Sequence, residues 1–492
     1  VLDGKYNGYG WDPGNFALAV EDYSLENAHP HLPGYYLHIQ IIKIFSSIFN
    51  NHFTSMIFLS VLYTCLSIPF LYLLIRKWYN KLDSMLISLV ILSNPFSWFY
   101  GLTSEIYAFD LFFSVVLVYF SLSPKLVIYS PIILSLGTGI RPTSGLLLAP
   151  LFIYLWYYNI KNNNISIKKT VIFQCLGILG FLVWFIPMVN SAGGLYSYIQ
   201  LYKTVNPAKG LTLPINIFEL FSYMMFILPT ILLFILGMYL SKNDNYKVTN
   251  NLNKNSGLYF KVLYYWLIPS ILCYLLFRYS KGYILLIIVA LILFLTSFIR
   301  KSRVRLYILI SAIVIQTSVF LFFPYRTPHV QVYFIRQNRN LSLGKVWLDR
   351  TFSRFNITKS KITELHECFF VIDSTIHTIK DKISYILIDP TCIVSIRALQ
   401  SQYPDIGFTK LFPLEKKLHY GILKGINIEN RNDLRSMIIN AVVISSTDLL
   451  DKYLLGVRAE FIVRNDKWSS FRISEVSVDQ YINFWSNALI KK

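Results

Sequence analysis

The sequence predicts an α-helical polytopic membrane protein that ends in a small α/β domain, and three observations carry that prediction. Of 492 residues, 54% are hydrophobic and only 15% are charged, where a soluble domain carries about a quarter charged residues. Apolar runs of about 20 residues, long enough to cross a hydrocarbon core as helix, recur from about Ser55 to Phe323 and then stop. The basic residues fall in alternate loops between those runs.

The predicted spans are about 55–76, 82–99, 105–121, 126–139, 143–158, 170–190, 213–240, 258–277, 282–298 and 304–323. One set of loops holds Arg76, Lys77 and Lys81, then Lys125, Lys161, Lys168, Lys169, Lys242, Lys247 and Lys254, and finally Arg300, Lys301, Arg303 and Arg305. Positive charge marks that set as cytoplasmic. The other set, including residues 1–33, the turn at Arg141 and everything after Phe323, then faces outward. With about ten spans and an outward start, one further span is expected ahead of Val1. Residues 34–49 are apolar on one face and lie too close to the next span to cross alone, so they read as an interfacial helix. The expected domains are a first outward loop over 1–54, a bundle over 55–323 and an extracytoplasmic domain over 324–492.

The formal charge of +20 is scattered between apolar runs rather than gathered into a patch, which argues topology and against nucleic acid. Neither GxxxxGK[ST] nor GxGxxG occurs, and no Cys/His spacing suits zinc. From about His366 the rhythm becomes that of an α/β domain. The runs CFFVID, YILID and AVVISS read as strands, Val394–Tyr403 and Asp433–Ile439 read as helices, and Ala459–Arg464 with Phe471–Val476 reads as a hairpin. Cys65, Cys175 and Cys273 sit in apolar runs as small hydrophobes, whereas Cys368 and Cys392 form a possible disulfide pair if their domain faces an oxidising compartment.

The most informative stretch is the first loop, GWDPGNFALAVEDYSLENAHPHLPGYYLHI. Asp12 precedes Pro13, a combination that helix capping alone accounts for. His29 and His31 flank Pro30, and two histidines with no nearby third ligand make a poor metal site, so contact with acceptor or phosphate is the better reading. Trp11, Tyr35 and Tyr36 suit either sugar stacking or an interfacial aromatic belt.

In pattern this stretch resembles the multi-span glycosyltransferases of the GT-C type that use polyprenyl-phosphate sugars, the protein O-mannosyltransferase-like and aminoarabinose-transferase-like families. The elements that carry the resemblance are Asp12, the run Asn15-Phe16-Ala17-Leu18-Ala19, and the re-entry His29-Pro30-His31-Leu32-Pro33-Gly34-Tyr35-Tyr36. Three later segments follow in the same order: Tyr100 to Tyr107, Gly137-Thr138-Gly139-Ile140-Arg141-Pro142-Thr143, and Gly193 to Tyr198. The resemblance covers roughly residues 8 to 323. Many relatives carry an acidic pair where this chain has Asp12-Pro13, and the next acids are Glu21 and Asp22.

The resemblance implies a GT-C-like bundle, an inverting transfer of sugar from a polyprenyl-phosphate donor on the non-cytoplasmic face, and Asp12 as the base that takes the acceptor's proton. A lipid phosphate leaving group calls for cations, and Arg141, Arg278 and Lys281 lie on the outward side. Arg141 stands in an otherwise apolar turn where a lone charge is expensive. Arg278 and Lys281 are equally suited to snorkelling from helix ends. Glu105 and Tyr107 complete the expected cavity with His29, His31 and Tyr35, although an acid at a helix N-terminus is also favoured by the dipole alone. Asp110 lies deeper, where an ionisable group faces either a wet cavity or a structural partner. The expected partners are the lipid-linked sugar and membrane lipid, with no cofactor or required metal, in a prokaryotic plasma membrane. A lipid-linked-sugar flippase and a non-catalytic subunit of an envelope-polymer assembly are the rival readings. No internal repeat of the kind transporters carry is seen.

Overall fold

The computed structural model describes residues 12–162, 164–205, 227–241, 256–276 and 281–322, and beyond them 334–337, 340–343, 368, 370–379, 385–388, 399, 402–403, 405–410, 441–446, 459–464, 468–474, 477 and 479. Two compact units are present. Tyr23–Ile357 forms the bundle unit, and α1 (Asp12–Glu21) groups with the unit that contains Thr358–Lys492.

In the bundle unit the chain runs through α2 (Tyr36–Phe49), α3 (His52–Ile75), α4 (Lys81–Leu92), α5 (Pro95–Gly101), α6 (Ala108–Ser121), α7 (Ser130–Ile140), α8 (Pro142–Lys161), α9 (Ile167–Asn190) and α10 (Leu195–Val205). It continues through α11 (Leu228–Leu240), α12 (Ser256–Leu276), α13 (Ile284–Ser297) and α14 (Ser302–Phe322). Each predicted span meets helix where it is described, although residues 105–107 precede α6 and residues 93–94 separate α4 from α5. By length and composition, however, only α3 and α9 qualify as spans by themselves among the described residues, and the bent pair α4–α5 adds a third. The ten spans expected therefore reduce to two or three self-sufficient ones, because several helices are shorter than a hydrocarbon core requires.

Local chemistry explains the interruptions. The predicted span 82–99 is broken at Asn94-Pro95 and bends by 64°. Proline has no N–H to donate and disfavours helix in the residue before it, and Asn94 then caps the new helix by accepting from Phe96 N at 3.0 Å. The same logic divides α7 from α8 at Arg141-Pro142, where Arg141 is extended with φ −143° and ψ 93°. Asn51, Asn80 and Ser166 cap α3, α4 and α9 in the same manner.

Helix α13 is the core of the bundle. Its residues Ile284 to Ala290 are all buried, as expected of a helix apolar on every side. Small residues let the other helices close up: a Cβ on Gly137 would stand 2.0 Å from the Phe113 ring, so α7 meets α6 with nothing between them. Helix α2 buries His38, Ile39, Ile42 and Ser46 and exposes Ile44 and Ile48, the one-sided pattern expected of it.

At the bundle end read as cytoplasmic, Arg305 is not the free topological charge the sequence suggested. It is 2% exposed. Its Nη2 lies 2.6 Å from Asp83 Oδ2, its Nε donates to the same oxygen at 2.9 Å, and its Nη1 donates to Ile299 O at 3.1 Å. Asn80 donates to Asp83 Oδ2 at 2.9 Å, and the Tyr79 ring lies 5.6 Å from the guanidinium.

The other unit is α/β, as predicted, with a five-stranded sheet in the order β4 (Gly407–Lys410), β3 (Tyr385–Ile388), β5 (Ala441–Ser446), β7 (Trp468–Ile473), β6 (Ala459–Arg464). Strand β3 pairs parallel with β4 and β5, while β5–β7 and β7–β6 are antiparallel, which makes the last two the expected hairpin. A two-stranded ribbon of β1 (Phe334–Gln337) and β2 (Asn340–Leu343) belongs to the bundle unit. The run CFFVID is a correction: residues 370–379 are helical. Cys368, Val371, Ile372 and Thr375 are all buried at the i, i+3, i+4, i+7 spacing of one helix face, and a short apolar run does not by itself distinguish helix from strand. Cys368 is disulfide-bonded. Cys392, Asp433–Ile439 and most of Val394–Tyr403 lie outside the described residues.

Candidate active site

Pro142 forces Arg141 out of helical geometry at the α7–α8 junction, and the side chain is almost fully buried at 1% exposure. A cation there needs an anion. Asp110, in the first turn of α6, supplies it: Arg141 Nη1 lies 3.0 Å from Asp110 Oδ2. The other carboxylate oxygen accepts a short hydrogen bond from Ser144 Oγ, one turn into α8. Two tyrosine rings close on the guanidinium, Tyr107 at 4.1 Å and Tyr283 at 4.4 Å from its carbon. Tyr283 is tied in turn to Thr143, hydroxyl to hydroxyl, at 2.9 Å. Among the described residues Arg141 Nε has no hydrogen-bond partner. The open question over Asp110 thus resolves to a partner for Arg141.

Helix α2 approaches the same charge through His38. Burial first, and the Arg141 charge second, push His38 down to about 3, so it stands as a neutral imidazole. Tyr107 also meets Tyr100, with ring centroids 4.8 Å apart. Glu105 is buried just before α6, and Ser60 of α3 donates to its backbone oxygen at 3.0 Å.

The predicted re-entry is an ordered loop. Ser24 and His29 pair as an antiparallel bridge, with N–H to O distances of 2.7 and 2.8 Å. Tyr23 donates to Gly34 O at 2.7 Å and Tyr198 of α10 donates to Pro33 O at 3.1 Å. Gly34 has φ 120°, a conformation that admits glycine, and a Cβ there would stand 2.6 Å from Met188 Sδ. His31 and Tyr35 are ring neighbours at 5.0 Å, and both histidines are half-buried. Among the described residues no group of three His, Cys, Asp or Glu side chains is placed to hold a metal ion.

Between α7, α8 and α9 lies a cavity of about 500 Å³, lined by Leu134, Leu146, Phe152, Ile178 and Phe185 and bordered by Pro33, Pro142 and Tyr198. It is an apolar space adjoining the residue that follows Arg141. Asp12 begins α1 and is half-buried, and Asn15, one turn on, is fully buried with neither amide atom hydrogen-bonded among the described residues. Both belong to the other compact unit. Lys281 opens a short 3₁₀ turn, Lys281–Tyr283, and Arg278 lies outside the described residues. Sequence reasoning missed Tyr283, Ser144 and Gly282. Tyr283 opens an apolar run, where an aromatic residue attracts no notice.

Residues 29–190 match the family model described as dolichyl-phosphate-mannose-protein mannosyltransferase. That segment carries the re-entry loop, Tyr107, Asp110 and Arg141, but neither Asp12 nor Tyr283. The fold is similar to ArnT from Cupriavidus metallidurans, in one structure bound to undecaprenyl phosphate and in another in the apo state. Each match has a TM-score of 0.51 and covers 96% of this chain and 94% of that one, with 12% and 13% identity respectively. The fold is of the GT-C type. The family model covers the re-entry and the segments around Tyr107 and Arg141, and the helical bundle expected is found with a fold similar to that of ArnT. No curated protein matches the sequence.

Proposed function

We propose that the protein is an inverting glycosyltransferase that moves a sugar from a polyprenyl-phosphate carrier to an acceptor on the non-cytoplasmic face. The observation that carries this reading is a buried guanidinium at Arg141 followed in the chain by Pro142, which lines an apolar cavity of about 500 Å³. A lipid phosphate has that composition, a small anion on a long apolar tail. The match of residues 29–190 and the likeness to ArnT support the same substrate class.

In this reading the acceptor oxygen attacks the anomeric carbon from the side opposite the phosphate, its proton passes to the Asp12 carboxylate, and the carbon–oxygen bond to the carrier breaks. The polyprenyl phosphate leaves with the negative charge. Arg141 binds that developing charge through donors Asp110 does not use, since a guanidinium has five N–H groups. Glu105, Tyr107, His29, His31 and Tyr35 line the approach, and Lys281 and Arg278 supply further positive charge. The reaction calls for no cofactor and no metal.

The test is sugar release from a panel of radiolabelled polyprenyl-phosphate sugars by the protein in liposomes, wild type beside Asp12→Asn. Loss of a general base lowers turnover by about 10²–10⁴ with the fold intact. Equal turnover by both proteins would remove Asp12 from the role. Equal movement of labelled lipid across the bilayer, without turnover, would favour the flippase.

A further inference from the structure

The Arg141 guanidinium sits in the corner made by two rings on adjacent sides of it, and nothing in its ion pair with Asp110 requires that. A single Nη1 contact at 3.0 Å leaves the guanidinium free to swing about that contact. The rings remove the freedom. Tyr107 and Tyr283 stand 4.1 and 4.4 Å from its carbon, and their planes meet at 69° with centroids 5.7 Å apart. Both side chains are buried, where attraction between a cation and a ring face is stronger than in water.

The two rings come from distant parts of the chain. Tyr107 precedes α6, and Tyr283 precedes α13, the most buried helix of the bundle. What lets them meet is Gly282. A Cβ built there would stand 2.0 Å from Tyr107 Cγ and 2.2 Å from Cδ1. Any side chain at 282 therefore displaces Tyr107. Tyr283 is pinned from outside by the 2.9 Å contact with Thr143, two residues after Arg141.

We infer that Tyr107, Gly282 and Tyr283 form an aromatic clamp that positions Arg141 for the phosphate of a lipid substrate. Tyr283 and Gly282 are positioning residues: Tyr283 bounds the guanidinium with its ring, and Gly282 leaves room for the Tyr107 ring to bound it from the adjacent side. The inference rests on Arg141 as the phosphate ligand. A planar cation is what the clamp grips, so lysine at 141 keeps the charge and loses the grip.

The experiment measures binding of tritiated undecaprenyl phosphate, with no sugar attached, to the full-length protein in nanodiscs. Wild type is compared with Tyr283→Phe, Tyr283→Leu, Gly282→Ala, Arg141→Lys and Arg141→Gln. The clamp predicts that Tyr283→Phe stays within about threefold of wild type, because the ring face remains, and that Tyr283→Leu and Gly282→Ala weaken binding roughly tenfold. Arg141→Lys falls with Arg141→Gln rather than with wild type. If Tyr283→Leu fails to fold, the Arg141→Lys comparison decides by itself: wild-type affinity with lysine while glutamine is impaired overturns the clamp and leaves Arg141 as the phosphate ligand. Tyr283→Leu at wild-type affinity overturns it as well. Wild-type affinity in Arg141→Gln overturns the phosphate reading together with the clamp.

Discussion

The bundle holds two buried Arg–Asp pairs at opposite ends, and they are built differently. Asp83 and Arg305 belong to the end at which α3 turns into α4. Asp110 and Arg141 belong to the other, since α6 carries Asp110 in its first turn and leads to Ser123, which Lys77 of the α3–α4 turn contacts at 2.8 Å. Each pair has tyrosine beside the guanidinium. Around Arg305 three contacts are made, two to Asp83 and one to Ile299 O. Around Arg141 the described residues make one ion-pair contact, and among them Nε has no hydrogen-bond partner. The Arg305 pair ties its helices through more contacts than the Arg141 pair does. Burying either pair costs desolvation, so burial by itself does not mark function.

Substitutions can break that comparison. The largest effect is on stability and is common to both ends: Arg305→Ala or Arg141→Ala leaves an uncompensated buried carboxylate and costs about 3–5 kcal/mol. Thermal unfolding of detergent-purified protein should show a comparable fall in Tm for the two. Equal insensitivity to both would mean that neither pair is sealed from water.

The double replacements separate them. Arg305→Met with Asp83→Leu should restore most of the lost stability, since a well-packed apolar pair often replaces a buried ion pair at little cost. Sugar release should then be near wild type. Arg141→Met with Asp110→Leu should recover stability in the same way and remain inactive. Activity in the second double variant would make the two ends equivalent and both structural.

A smaller effect sharpens the picture at the Arg141 end. His38 is held near 3 in the folded protein and returns to about 6.5 when unfolded, so the unfolded state binds a proton first as pH falls. Stability is therefore complete above about pH 6.5 and declines below it, by about 2 kcal/mol at pH 5. His38→Phe should flatten that decline in a pH series of unfolding curves. An unchanged slope would place the acid sensitivity elsewhere. The smallest effect is Tyr198→Phe, which removes the 3.1 Å bond to Pro33 O and costs about 1 kcal/mol. Hydrogen exchange at residues 23–35 would report it as faster opening of the re-entry loop.

The contrast between the two ends also shows what a sequence can disclose. Apolar runs made the helical class and most helix positions legible, because lipid-facing and core-facing residues are alike apolar. Arg141 stood out for the opposite reason, a charge in a run with no local partner. Its partner was not legible: Asp110 lies 31 positions earlier, and only the packing of α6 against α8 shows that the two meet. Arg305 misled by proximity to Arg300, Lys301 and Arg303, where it read as one more topological charge. Tyr283 and Gly282 carry no signal of their own, since their role comes from Tyr107, far away in the chain. The run CFFVID misled because β-branched and aromatic residues favour strands on average, while its burial spacing is helical.

The unequal self-sufficiency of the helices bears on how the protein is made. Helices α3 and α9 are long and apolar enough to partition into a bilayer independently, with mean hydropathies of 2.1 and 2.2 over their best windows. Those between them include the short α6, which carries Asp110, and α8, which begins one residue after Arg141. A segment with a charged residue and too few apolar ones enters lipid poorly alone. The ion pair of Asp110 with Arg141 supplies each charge with a partner inside protein, so neither has to face hydrocarbon alone.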